Sequence, residues 1–440
     1  MVSQHLEEMI ESFEDVDAGV RALPEFVERE FRAYLECGLP EYGFIKLECA
    51  RCKHQHALAF SCKGRAICPS CGTRRMADTA AHLVDHVLPD VPVRQWVLTP
   101  PFELSGLLAA RGEVLCKLTQ VFAAEIFKMM KAWAKDRGLE APQCGAVTFI
   151  QRFTKTLAIH PHLHTLVLDG VFTKPSDGEP PKFESCPAPS DLDLLKVARG
   201  VFRRMTKYLE AKGYLSEDGE ATKLCGLDAW YVKSLAEPSM LTHTRDLSRK
   251  NSGLEYGGFT VHAGVTVAGD DKAGREKLCR YAARPAFADD QLRFAKDGRI
   301  EFRLRRKANN GQSVVLLEPV RFLRRLAWLL PPPRQHQVRY AGVLGPRAKW
   351  RREIVPPPRL SLQLVLWTND EGPARGATRL RWADLLRRVY DLDSELCPRC
   401  GAPTRPVGAV TDPHLARAWL GGLRRLARGP PGQHPLPLSA

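Results

Sequence analysis

Two stretches of this 440-residue chain carry side chains whose types and spacing suit chemistry. The first is AIHPHLHTLVLDG, residues 158–170, where His160, His162 and His164 alternate just ahead of an apolar run. In a strand, residues two apart share a face, and the strand rise sets His162 and His164 about 7 Å apart at Cα. Two neutral imidazoles so placed can converge on one divalent ion and leave coordination positions open for a substrate oxygen. His160 shares the parity, but Pro161 interrupts regular pairing and makes it the weaker candidate. An isolated H-x-H is also the pattern of histidines on a strand edge, so the pair needs a reacting partner. No G-x-S-x-G, Walker A or G-x-G-x-x-G pattern nominates one. The segment EKLCRYAARP does: a helix carrying Tyr281 between Arg280 and Arg284 can face a metal-held phosphodiester, although such a tyrosine alone also reads as a packed aromatic.

The second stretch is CARCKHQHALAFSCKGRAICPSC, residues 49–71. Two C-x2-C pairs separated by 15 residues fall in the spacing window of a four-cysteine zinc site. A two-residue gap lets both thiolates of a pair reach one tetrahedral ion about 2.3 Å away. The spacing therefore predicts one structural Zn²⁺ on Cys49, Cys52, Cys68 and Cys71, with Arg51, Lys53, Lys63 and Arg65 favouring the thiolate forms. Cys37, Cys62, His54 and His56 are spare potential ligands: they could complete a second site, but the expectation is single buried cysteines and surface histidines. A lone pair, Cys397 and Cys400 in CPRCG, has the same knuckle shape without a second pair nearby and is expected as two free thiols. A metal there would need a ligand such as His414, or a partner chain.

These residues need elements to position them. Residues 1–36 read as helical, with one helix starting at Pro24 and stopping at Gly38. TRRMADTAAHLVDHVLP continues as a helix, VRQWVLTPPF as a strand, and residues 104–137 as helix by apolar spacing. GAVTFIQRF and HLHTLVLDGVF read as neighbouring strands, followed by a helix over about 190–212. Residues 213–255 read as an insertion, GGFTVHAGVTVAG as a strand, and DDKAGREKLCRYAARP as a helix ending before Pro285. Short strands and an amphipathic helix near 318–329 follow, and RGPPGQHPLPLSA reads as a disordered tail. The expected fold is α+β in three parts: 1–90 helical with a zinc ribbon, 91–300 a catalytic core, and 301–440 a basic region.

Composition narrows the class. At 44% hydrophobic and 26% charged residues the chain is globular, and no run of 18 apolar residues predicts a membrane span. Its acidic, amphipathic start is the opposite of a signal peptide, so the expectation is a bacterial cytoplasmic protein associated with the nucleoid. Thirteen cysteines then argue for metal or free thiols rather than disulfides. The net charge of +15 lies wholly beyond residue 300, where 25 Lys/Arg face 10 Asp/Glu. Trp328, Trp350, Trp367, Trp382 and Trp419 lie there too, and basic groups with interspersed aromatics suit a phosphate backbone and stacked bases.

In order along the chain, FSCKGRAICPSCGTRRM, VPVRQWVLTPPF, GAVTFIQRF, HPHLHTLVLDGVF, LCRYAARP, VRYAGVLGPRAKWR and CPRCG resemble rolling-circle transposases of the IS91 and ISCR type. These are members of the HUH endonuclease superfamily, and the resemblance covers about residues 37–410. It implies a ferredoxin-like antiparallel sheet as the nuclease core. By position, His162 and His164 would bind Mg²⁺ or Mn²⁺, with Gln151 first and His262 second as a third ligand. Tyr281 would attack single-stranded DNA at the element's ends, leaving a 5′-phosphotyrosine and a free 3′-OH, with Arg280 and Arg284 as DNA contacts. Relatives with two tyrosines spaced Y-x3-Y differ, since Lys277 stands four positions before Tyr281; Tyr340 is read as packing. TKTLAI and Pro285-Ala286 also depart from the pattern without removing a catalytic atom. The alternatives are a replication initiator with the same chemistry and a non-catalytic zinc-ribbon DNA-binding relic.

Overall fold

Period-two and period-3.6 apolar patterns fall where the sequence places them. The computed structural model describes residues 1–15, 20–21, 23–174, 179–214, 230–231, 253–307, 311–355 and 396–427. The N-terminal part contains α1 (Val2–Glu11), α2 (Glu25–Leu35), the hairpin β1 (Phe44–Cys49) and β2 (Gln55–Ala59), and α3 (Pro69–His86). The middle runs β3 (Val93–Thr99), α4 (Ser105–Ala110), α5 (Gly112–Asp136), β4 (Gly145–Phe153), β5 (Ile159–Leu168), α6 (Asp191–Ala211), β6 (Leu254–Tyr256), β7 (Phe259–Val267) and α7 (Lys272–Ala283). The last third adds α8 (Pro319–Leu329), β8 (Val338–Gly342), β9 (Thr404–Val410) and α9 (Pro413–Ala427).

The principal sheet has the order β6-β7-β3-β5-β4-β8, and all its neighbours are antiparallel. Within it β3, α5, β4, β5, α6 and β7 form a β-α-β-β-α-β unit whose strands lie in the order β7-β3-β5-β4. That is the ferredoxin-like arrangement, so the α+β expectation holds. Alternation sorts β5 between two cores. Leu163 and Val167 point with Trp96, Leu98, Ala146 and Ile150 toward α5 and α6. Leu166 and Leu168 point the other way, against Leu83 and Val84 of α3 and Leu278, Cys279 and Ala282 of α7. α7 is tied down at its start: Arg275 donates to the Pro89 carbonyl at 2.7 Å and pairs with Asp90, while Lys272 pairs with Asp85 at 2.7 Å.

The last third is not a separate layer. β8 is the sixth strand of the principal sheet, paired in register with β4. α8 packs against α1, burying Phe322, Leu326 and Trp328 with Met9, Val27 and Phe31. β9 joins β1 and β2 as a third strand. The boundary expected at residue 300 is therefore crossed by both sheets, because these segments complete cores begun elsewhere. The tryptophans expected to stack on bases pack instead: Trp328 meets Phe13 edge-on at 5.5 Å, and Trp419 lies 4.8 Å from Phe44. Trp350 sits under the Lys174 ammonium. Trp367, Trp382, the tail and most of the 213–255 insertion lie outside the described residues. Among the described residues, no helix is long and apolar enough to cross a membrane.

Candidate active site and metal centres

The strand face opposite Leu163 carries the alternating histidines. The His162 and His164 rings are 5.1 Å apart at their centroids, and the Tyr281 ring stands edge-on to His164 at 5.7 Å. Both histidines have their Nδ1 engaged. His162 Nδ1 is 2.9 Å from the His160 carbonyl, and His164 Nδ1 is 2.8 Å from the Gln95 side-chain amide. The His162 Nδ1 proton is held by the His160 carbonyl, so its Nε2 presents a lone pair. At His164 the Gln95 Nε2 faces Nδ1, and turning that amide so that its oxygen accepts the Nδ1 proton would present the Nε2 lone pair in the same way. Burial holds the imidazole of His164 well below its ordinary pKa, with His162 and Arg284 adding to the effect; His162 is lowered mainly by burial as well. Neutral imidazole is the ligand form. His160 takes another path: its Nδ1 bonds Ser105 Oγ at 2.7 Å, and burial brings its pKa down to about 4.

Gln151 is the cross-strand partner of His162, and so shares its face. Its Nε2 donates to the carbonyls of Tyr281 at 3.1 Å and Ala282 at 2.9 Å. The last carbonyls of a helix have no partner within it, so Gln151 latches the end of α7 beside the histidines. Its Oε1 is buried without a hydrogen-bond partner. Two imidazoles and this unpartnered amide oxygen on one face are donor types that suit a divalent ion. His262 lies in the same register row, but Val97 of β3 separates it from His164, which puts it two strands away. Tyr281 is 45% exposed, so its phenol can be reached from solvent.

Beside Gln151 and the end of α7 opens a groove of about 930 Å³. Its walls carry Lys63, Arg65, Arg152, Arg284 and Arg334 against a single acidic residue, Asp78. These cations come from the cysteine-rich segment, the core and the last third together. Of the two arginines flanking the tyrosine, Arg284 lines this groove and lies over the Tyr281 ring, 5.5 Å from its centroid. Arg280 is instead paired with Glu276 one turn back, at 2.5 Å. Tyr340 sits on β8 opposite Val147, with the Arg351 guanidinium over its ring.

The cysteines pair differently from the expectation. Cys49, Cys52, Cys68 and Cys71 do not meet: the described residues hold two four-sulfur groups, Cys37, Cys62, Cys68 and Cys71, and Cys49, Cys52, Cys397 and Cys400. β1 and the knuckle after it carry Cys49 and Cys52 to one end of the ribbon. Cys68 is the N-cap of α3, so Cys68 and Cys71 sit at the other end, over the turn that follows α2. There Cys37 lies 3.7 Å from both Cys68 and Cys71, and Cys62 lies 3.6 Å from Cys71. A tetrahedron with 2.3 Å bonds has edges of about 3.8 Å, so this group fits one Zn²⁺. Cys37 and Cys62, expected as spares, complete this group, and Cys397 and Cys400, expected as free thiols, lie in the second group. Backbone N–H groups favour thiolate at Cys49: the amide of Cys52 donates to its sulfur, and its pKa falls to about 6. His54 and His56 stack on one another, outside both groups.

Comparison with known proteins agrees with this layout. A family model described as "Transposase zinc-binding domain" matches residues 1–100, and one described as "Putative transposase" matches residues 145–352. "Putative transposase y4qJ" of Sinorhizobium fredii is 24% identical over 357 residues, covering 80% of this chain and 81% of that protein. No solved structure matches the chain. The two matched segments together span the first sulfur group, the histidine strand and the tyrosine helix; they are similar to a transposase zinc-binding domain and to a "Putative transposase", which is consistent with an IS91-type transposase.

Proposed function

We propose that this transposase nicks and rejoins single-stranded DNA at the ends of an insertion sequence through Tyr281, in rolling-circle transposition. The observation that carries the reading is the meeting of Tyr281, His164 and Gln151 from three separate elements on one face of the sheet. In this reading His162, His164 and Gln151 would hold Mg²⁺ or Mn²⁺, which would supply charge neutralisation at the scissile phosphate. The Tyr281 oxygen attacks phosphorus and the P–O3′ bond breaks. The 5′ end stays on the tyrosine, and the departing 3′ oxygen takes up the proton that the phenol gives up. A later 3′-OH reverses the exchange, so one phosphodiester is traded for another without ATP. Gln151 positions the phenol by latching α7, and Arg284 places a cation between the phenol and the groove. The cationic groove suits an unpaired strand, whose backbone it would track. The reaction takes place on DNA in the cytoplasm.

The test is a covalent adduct. With Mn²⁺ and a single-stranded oligonucleotide carrying the element's end, wild-type protein should form a complex that survives denaturation. Tyr281→Phe keeps the ring against His164 and deletes the attacking oxygen, so the adduct should vanish while binding persists. An undiminished adduct on Tyr281→Phe, or DNA mapped to Tyr340, would refute the mechanism.

A further inference from the structure

The matched zinc-binding domain contains a complete set of four cysteine ligands and half of another. Cys49 and Cys52 have their partners at Cys397 and Cys400, beyond both matched segments. The sulfur separations are 3.5 Å for Cys49 to Cys400, 3.6 Å for Cys52 to Cys397 and 3.5 Å for Cys52 to Cys400. A disulfide would need about 2 Å; the edges of a zinc–sulfur tetrahedron need about 3.8 Å.

The two halves are built alike. In the first, the Cys49 N–H donates to the His54 carbonyl at 2.9 Å and the Lys53 N–H to the Cys49 carbonyl at 3.2 Å. In the second, the Cys397 N–H donates to the Ala402 carbonyl at 2.8 Å and the Gly401 N–H to the Cys397 carbonyl at 2.9 Å. Both turns close on a left-handed residue just after the second cysteine, Lys53 at φ 56° and Gly401 at φ 69°. Each is a knuckle that aims two sulfurs at one point, and the two face one another across the register pair Thr404–Cys49. We propose that Cys49, Cys52, Cys397 and Cys400 bind a second structural Zn²⁺, which staples the C-terminal segment to the N-terminal ribbon.

The packing around this site leaves a role for a cross-link. β9 pairs with β1, yet most of its side chains are exposed, Val407 among them at 44%. Its further attachments are the Arg405–Glu48 pair at 3.3 Å and Trp419 of α9 on Phe44, with Lys46 over the same indole. Within this sheet β9 itself buries little apolar surface, so a cross-link would add to the backbone pairing that holds it. Four thiolates in a closed tetrahedron provide one, and the ligand set selects a soft, tetrahedral ion. The ribbon thereby takes strands from both ends of the chain, and its integrity depends on residues about 350 positions apart. The inference stands apart from the tyrosine chemistry, since neither site needs the other to be correct.

Metal analysis of the purified full chain should give two zinc ions per chain. Cys397→Ser with Cys400→Ser should lower that to one, and Cys397→His, which keeps a ligand, should retain two. Alkylation of wild-type protein with iodoacetamide, mapped by peptide mass, gives a reading that requires no variant. At full zinc loading Cys49, Cys52, Cys397 and Cys400 should all be protected, and stepwise removal of zinc with a chelator should expose these four together. One zinc per folded wild-type chain would overturn the proposal. So would two zincs in the double serine variant, iron in place of the second zinc, or alkylation of Cys397 and Cys400 while Cys49 and Cys52 stay protected.

Discussion

The histidine face and the cysteine ribbon both gather ligands, but over opposite distances along the chain. His162 and His164 are two residues apart, and Gln151 reaches them across one hairpin pairing. The ribbon joins sulfurs 345 to 351 residues apart. The first site follows from the alternation of a single strand. The second follows from the register in which β9 lies on β1, which no short segment encodes. Their chemistry diverges in the same direction. In the proposed reading, three neutral nitrogen and oxygen donors would leave room for substrate, whereas four thiolates would close a tetrahedron and leave none. A working site is thus built locally on a rigid sheet, and a structural one is spread across the chain it must hold together.

The largest effect should separate the two faces of β5. Leu163 is fully buried between His162 and His164 but points to the opposite core. Leu163→Ala should cost about 2–5 kcal/mol of stability, read by denaturant unfolding, while the folded fraction still forms the DNA adduct. His164→Ala should do the reverse, abolishing the adduct even in the folded fraction, at a stability cost of about 1–3 kcal/mol from the Gln95 amide left unpaired. If His164→Ala keeps its adduct, the histidines are packing residues and the comparison fails.

Gln151 sharpens the same contrast at smaller scale. Its Nε2 latches the end of α7 and its buried Oε1 faces the proposed ion, so both functions depend on one side chain. Gln151→Ala should lower the adduct rate by about 10–100-fold, as loss of a supporting metal contact does elsewhere, and should raise the Mn²⁺ concentration for half-maximal activity. Gln151→Glu keeps an oxygen donor but loses the amide donor. It should restore the Mn²⁺ requirement toward wild type without restoring the full rate. An equal Mn²⁺ requirement in all three proteins would remove Gln151 from the metal site and leave only the latch.

Much of this was legible in the sequence, for reasons that differ by region. The apolar periods of residues 104–137 and 190–212 correspond to α5 and α6, and the alternation of GAVTFIQRF and HLHTLVLDGVF to β4 and β5. The H-x-H pair and Tyr281 converge as their motifs imply. The spacing does not reveal the sulfur groups because the nearest C-x2-C pairs in sequence sit at opposite ends of the ribbon, while Cys37 and Cys62 carry no paired spacing. The last third misled for a related reason. Its amphipathic helix is expected near 318–329, but the basic composition hides that this helix and a strand finish cores begun at the other end of the chain, with Trp328 facing inward as a core residue. Charge is additive along a sequence, whereas packing is decided by pairs of segments.

The groove offers the finest test of how the two regions cooperate. Lys63 follows a zinc ligand and Arg334 follows α8, and both are exposed on the walls of the same groove. If a DNA strand runs along it, each contributes one phosphate contact, worth about 0.7 in the slope of log affinity against log salt for single strands. Lys63→Gln and Arg334→Gln should each flatten the slope by about that amount, and the double variant by about twice as much, with adduct formation on saturating DNA unchanged. Lys135, in the last turn of α5 against the opposite face of the sheet, serves as the control, and Lys135→Gln should leave the slope as it was. The comparison turns on additivity. Equal, additive changes would mean that the ribbon and the last third form one track to the tyrosine, because counterion release counts phosphates and ignores which segment neutralises them. A change with Arg334→Gln alone would confine the DNA to the basic last third, and the ribbon would then be a clasp with no part in binding.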